Sequence, residues 1–175
     1  LQWAAKCTFS DQYEPFIVTE GCELHPSGLF WRRSGDLGNG VQEGEIVKVL
    51  RLVIGIDDNN PKRLQIAPRM PLGWTEISIK DCPALIEVKG QSKIAKLAYT
   101  LRRSRGGLNL GLRSDKLLGD TTIRLGPFAA KSQASKVTLN GKRVKSTITR
   151  SGDSWWVRVT PPSGAKTIQV QAVGR

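Results

Sequence analysis

Apolar residues at every second position can be buried only by strands laid side by side on a common core, and from residue 96 onward this pattern governs the chain. Leu97, Tyr99 and Leu101 alternate with Lys96, Ala98, Thr100 and Arg102; Leu108, Leu110 and Leu112 repeat the rhythm, as do Ile123 and Leu125. Val137 and Leu139 run into Asn140-Gly141, the strongest short hairpin signal in the chain, with Val144 and Ile148 on the return. Trp155, Val157 and Val159 alternate with Trp156, Arg158 and Thr160 before Pro161-Pro162-Ser163-Gly164 turns the chain into a last strand with Ile168 and Val170. Leu64, Ile66, Ile77 and Ile79 add short strands around a Pro/Gly loop. Many short strands with regular turns predict a mainly β fold, an antiparallel β-sandwich.

Ahead of the strands the chain is different. The first forty residues interleave aromatics with turn formers and keep no period, which predicts irregular structure. A helix is then predicted over residues 40–54. Asn39 is its N-cap, Gln42 occupies the capping-box position, Glu43 and Glu45 lie in the first turns, and Gly55 can cap the end. Its apolar residues, Val41, Ile46, Val47, Val49, Leu50, Leu52, Val53 and Ile54, exceed one stripe, so the helix needs cover on most of its circumference. No second helix of similar strength follows. The expectation is therefore that a helical body belongs with it, residues 1–60 forming the end of that body and residues 61–175 the sandwich, divided at the turn Asp57-Asp58-Asn59-Asn60-Pro61.

Charge divides at the same place. Of 175 residues with a formal net charge of +12, the first sixty hold five Lys/Arg and nine Asp/Glu, whereas residues 61–175 hold 22 and six. Cys7, Cys22 and Cys82 form no CxxC pair and make an odd count, which predicts reduced, mostly buried thiols and neither a disulfide framework nor a zinc site, with one pair free to join in an oxidising compartment. No metal or cofactor is expected. No run approaches the roughly 18 apolar residues of a membrane span, and no membrane partner is expected.

Candidate chemistry is thin. His25, the only histidine, sits in a Pro/Gly turn. No GxSxG, P-loop or GxGxxG-helix motif is present, and Arg105-Gly106-Gly107 opens no helix. Glycoside hydrolysis needs two carboxylates about 5 to 10 Å apart. Among the acidic residues of the first part, Glu43 and Glu45 have a structural explanation at the helix start, which leaves Glu20 and Asp36 as catalytic candidates. Tryptophans stack on the apolar faces of sugars. Trp31, flanked by Phe30 and Arg32-Arg33, is the candidate for sugar contact with Arg32, while Trp74 is expected to plug the seam between the two parts. The basic half would attract polyanions, but it offers few aromatic platforms beyond Trp156, so nucleic acid is the weaker partner.

Three stretches carry a likeness to a family: Gly35-Asp36-Leu37-Gly38-Asn39-Gly40-Val41-Gln42-Glu43, the helix end Leu52-Val53-Ile54-Gly55-Ile56-Asp57-Asp58, and Pro68-Arg69-Met70-Pro71-Leu72-Gly73-Trp74. They resemble the C-terminal region of bacterial glycoside hydrolases with an (α/α)6 toroid, the α-L-rhamnosidase-like group among them. Arg124-Leu125-Gly126-Pro127-Phe128 and Val137-Thr138-Leu139-Asn140-Gly141 are similar to the β-sandwich that closes such enzymes. The resemblance covers most of the chain and rests on structural motifs. It implies an accessory sandwich packed on a helical catalytic domain of the same polypeptide, a carbohydrate substrate for the whole, and no activity from this chain alone. A free carbohydrate-binding module and a polyanion-binding β domain are the other readings of these residues.

Overall fold

The computed structural model describes residues 19–24, 30–37, 40–71, 73–105 and 107–174, with side chains from Val47 onward, Gln133 aside. The chain forms two compact units, Leu1–Arg51 and Leu52–Arg175.

In the first unit, strands β1 (Thr19–Leu24) and β2 (Phe30–Leu37) pair as an antiparallel hairpin. The irregular structure expected for the first forty residues is corrected at these positions. The reason the pattern stayed hidden is visible in the register, which slips between Thr19 and Gly21 and again between Glu23 and Leu24. Each slip breaks the period of two by which a strand is recognised. Helix α1 follows over Gly40–Ile54, the expected span, with Arg51 in its last turn. Asn39, the expected N-cap, lies outside the described residues, as do the side chains of Glu43 and Glu45.

The second unit begins ahead of the turn at residues 57–61, because β3 (Ile56–Asp57) already belongs to a sheet with β4 (Leu64–Ile66). Next come β5 (Glu76–Val88), β6 (Gln91–Ser104), β7 (Gly107–Leu118) and β8 (Thr121–Phe128). A short 3-10 turn at Lys131–Ala134 leads to β9 (Lys136–Leu139), β10 (Lys142–Arg143), β11 (Thr147–Ser151), β12 (Ser154–Val159) and β13 (Ala165–Val173). They form a six-stranded sheet in the order β10-β9-β13-β7-β6-β5 and a five-stranded sheet in the order β11-β12-β8-β4-β3. The two sheets pack face to face as a β-sandwich. Its pairings are antiparallel except β4 with β8, which runs parallel.

Alternation decides which side chains are inside. Leu97, Leu101, Leu110, Leu112 and Val170 of the larger sheet share one core with Ile66, Ile123, Leu125 and Val157 of the smaller, each 1% exposed or less. The hairpin expected at Asn140-Gly141 forms with φ of 48° and 79°, the left-handed pair that a tight two-residue turn requires. Asn140 also extends the neighbouring ladder. Its backbone N–H donates to the Gln169 carbonyl at 2.8 Å, and its Oδ1 accepts from the Gln169 N–H at 2.8 Å.

The end of α1 is tied into this unit. Gly55 takes φ of 66°, and a side chain there would run into the backbone of Ala67, so glycine is required for the close approach. The Ala67 N–H donates to the Gly55 carbonyl at 2.6 Å, and the Arg69 N–H to that of Val53 at 3.1 Å. From inside the sandwich, the Tyr99 hydroxyl donates to the Ile54 carbonyl at 2.6 Å. Burial, with Cys82 nearby as the lesser cause, holds the Tyr99 phenol above its ordinary range, so it stays a donor. Val53 and Ile54 pack against the core.

Candidate functional site

Three surfaces of the described residues carry chemistry beyond folding. The first is apolar. On α1, Val47, Leu50 and Leu52 are about half exposed, at 57%, 46% and 49%. On the outer side of the larger sheet, Leu85 pairs with Ile94 across β5 and β6, and Leu117 of β7 is exposed as well. Ile94 is 64% exposed. Scattered apolar residues are ordinary on a surface, whereas Leu85 and Ile94 are exposed side by side.

The second surface is a groove of about 620 Å³ on the outer face of the same sheet. Its floor is made by Ala98, Thr100 and Gly111, and Arg113, Thr167 and Gln169 line one side. The opposite lip is Lys80-Asp81, where the β5 ladder is displaced between Ile79 and Cys82 and Asp81 takes φ of 50°. Bulges of this kind redirect side chains and recur beside binding sites. Ser78 and Thr100 share a hydroxyl hydrogen bond of 3.2 Å across β5 and β6. The lining thus carries the hydroxyls of Ser78, Thr100 and Thr167, the amide of Gln169 and the charged Lys80, Asp81 and Arg113 among apolar groups. Asp81 is its single carboxylate, so it lacks the second carboxylate that glycoside hydrolysis uses. Among the described residues no three His, Cys, Asp or Glu side chains are grouped as a metal ion would need.

The third surface is the outer face of the five-stranded sheet. Arg158 of β12 stands opposite Arg124 of β8, and the Arg124 guanidinium lies 4.3 Å from the centre of the Trp156 ring. Gly126 leaves room for that ring, since a Cβ there would approach Trp156 Cε3 to 2.7 Å. Desolvation, and then the like charges of Arg158 and Arg69, lower the Arg124 pKa. Trp155 faces the other way, packs against the core and has Lys131 at 5.7 Å.

The residues singled out from sequence fare unevenly. Glu20 lies in β1; Trp31, Arg32 and Asp36 lie in β2, with Arg32 opposite Glu23. Their side chains are outside the described residues, as are His25 and Cys7 and the side chain of Cys22. Trp74, expected at the seam between the two parts, is 41% exposed, and its N–H donates to the Pro71 carbonyl at 3.2 Å. Cys82 is a free thiol. Burial raises its pKa, with Asp58 the lesser cause, so it is poorly nucleophilic. The groove and the arginine pair went unseen in the sequence because each gathers residues from separate strands.

A scan against protein-family models and searches of curated proteins and of solved structures found no match to this chain.

Proposed function

We propose that the β-sandwich is a non-catalytic accessory domain of a carbohydrate-active enzyme, seated against a helical catalytic body of the same polypeptide through α1 and the exposed Leu85–Ile94 pair on its larger sheet. One observation carries this reading: α1 is anchored firmly at its C-terminal end by Gly55, Tyr99 and Ile54, yet Val47, Leu50 and Leu52 are left half exposed. A single helix with such a surface is stabilised by packing on other helices rather than by its own propensity. The exposed pair Leu85 and Ile94 supplies a second apolar contact for that body. The likeness to the closing region of toroid glycosidases agrees with both.

The test is an activity comparison. The 175-residue chain is expected to leave aryl glycosides intact, while a polypeptide extended upstream in the gene turns them over. In the extended protein Ile94→Asp should lower the melting temperature by several degrees, and in the short chain by little, since Ile94 is already exposed there. Turnover by the short chain, or equal melting shifts in both, would contradict the reading.

A second reading, a free carbohydrate-binding module, draws on the groove and its three hydroxyl residues. Calorimetric titration with neutral oligosaccharides separates the two: saturable binding abolished by Thr100→Val supports a module, and unchanged binding in that variant removes the groove from consideration.

A further inference from the structure

We propose that the outer face of the five-stranded sheet is a binding site for an acidic saccharide chain, with Arg124 and Arg158 receiving its anionic groups; this rests on the carbohydrate reading and adds the charge of the ligand to it. The argument begins with a local cost. Like charges placed directly opposite each other on a sheet face are destabilising, and the Arg158–Arg124 pairing is such an arrangement. Two strand arginines elsewhere have a carboxylate partner, whereas Arg103 and Arg113 have none among the described residues. Arg102 binds Glu76 at 2.8 Å across β5 and β6, and Arg150 has Asp153 at 3.5 Å. Among the described residues no carboxylate lies within ion-pairing distance of Arg124, Arg158 or Arg69. Arg124 and Arg158 stand side by side on neighbouring strands as one cationic pair.

The patch is also preorganised. A guanidinium stacked on an aromatic ring keeps its N–H edges available for a planar carboxylate or a sulfate. Trp156 holds Arg124 in this way at 4.3 Å, and Gly126 makes space for the ring by lacking a side chain. The cation is half-buried, so its interaction with an anion is screened less than that of a fully exposed lysine. Thr149, opposite Trp156, and Thr147, opposite Arg158, add hydroxyl-bearing residues along β11.

Charge alone would serve a nucleic acid equally well, but the aromatic arrangement separates the two classes. Single-strand binding draws on free rings onto which bases stack. Here Trp156 is taken up by Arg124 and backed by Gly126, and Trp155 is packed against the core. The described part of this face therefore offers guanidinium forks and hydroxyls without an open stacking platform. That combination suits a uronate or a sulfated sugar.

The experiment is a calorimetric titration of the 175-residue chain at about 150 mM salt, where diffuse charge attraction is largely screened. The probes are an oligogalacturonate, a sulfated dextran, neutral dextran and a single-stranded oligonucleotide of matched charge. Binding of the carboxylated or the sulfated probe, with neutral dextran silent, is expected; which of the two binds more tightly identifies the anion. Arg158→Gln changes an exposed side chain without disturbing the Trp156 stack, and should weaken binding by on the order of tenfold. Arg124→Gln should do the same, with a thermal melt to verify folding. Lys93→Gln, an equal charge change on the other sheet, should alter affinity by less than about twofold. Equal losses in Lys93→Gln and Arg158→Gln, tighter binding of the oligonucleotide than of either acidic saccharide, or no saccharide binding at this salt would each overturn the proposal. The activity comparison above is unaffected by any of these results, so the accessory-domain reading is judged separately.

Discussion

Inside the sandwich the two sheets obey one rule: the larger contributes Leu97, Leu101, Leu110 and Leu112 and the smaller Ile66, Ile123, Leu125 and Val157, all 1% exposed or less. Outside they diverge. The six-stranded sheet carries a groove with three hydroxyl residues, an exposed apolar pair and a paired arginine; the five-stranded sheet carries opposed arginines, one of them stacked on tryptophan. Burial constrains the inner faces toward the same chemistry, because any polar group there must find a partner. The outer faces are free of that constraint, and their chemistry differs accordingly.

The largest effect tests whether the inner faces really form one core. Leu110→Ala and Leu125→Ala should each cost about 2 to 5 kcal/mol, the usual penalty for a buried leucine truncated to alanine. Both should shift one cooperative transition in denaturant. Two separate transitions, each sensitive to only one of the variants, would show that the sheets unfold independently. A smaller effect distinguishes the outer faces. Gly126→Ala forces a Cβ against Trp156 and should cost roughly 1 to 3 kcal/mol, with a change in tryptophan fluorescence. Gly111→Ala, on the floor of the groove, meets nothing within 4 Å and should be neutral or stabilise by up to about 1 kcal/mol. Equal costs at both positions would break the contrast.

How far the sequence revealed this molecule follows from the same distinction. Strands with one buried face announce themselves, and Leu108, Leu110 and Leu112 did so, as did the Asn140-Gly141 turn and the helix over residues 40–54. Sheet order is decided by pairings distant in sequence, and the parallel contact of β4 with β8 has no local signature. The hairpin β1-β2 was concealed by its register slips. Arg124 and Arg158 are 34 positions apart in sequence, and only the register of β8 with β12 sets them face to face. The groove is assembled from residues on four strands, none of which stands out in its own segment.

Tyr99 offers a test of intermediate size. It is an inner-face residue of the larger sheet that also secures α1, and Tyr99→Phe removes the hydrogen bond to the Ile54 carbonyl while keeping the ring. The expected loss is about 1 kcal/mol, and amide exchange in the last turn of α1 should accelerate relative to β6. Uniform acceleration across the sandwich would instead mean that the bond supports the whole fold and does not anchor the helix in particular.

The smallest effects probe the contrast between compensated and uncompensated charge. Glu76→Gln leaves Arg102 without its partner on the larger sheet, and because both side chains are substantially exposed the cost should lie within roughly 0.2 to 1 kcal/mol. Arg158→Gln relieves the opposition to Arg124 on the smaller sheet and should stabilise by an amount of similar size. Both differences should shrink at about 1 M salt, where the screening length falls to roughly 3 Å. A variant that gains stability while losing an anionic ligand is the signature of a residue kept for binding at the expense of the fold. If Arg158→Gln proves destabilising at low salt, the opposed arginines are structurally reconciled and the two outer faces are electrostatically alike.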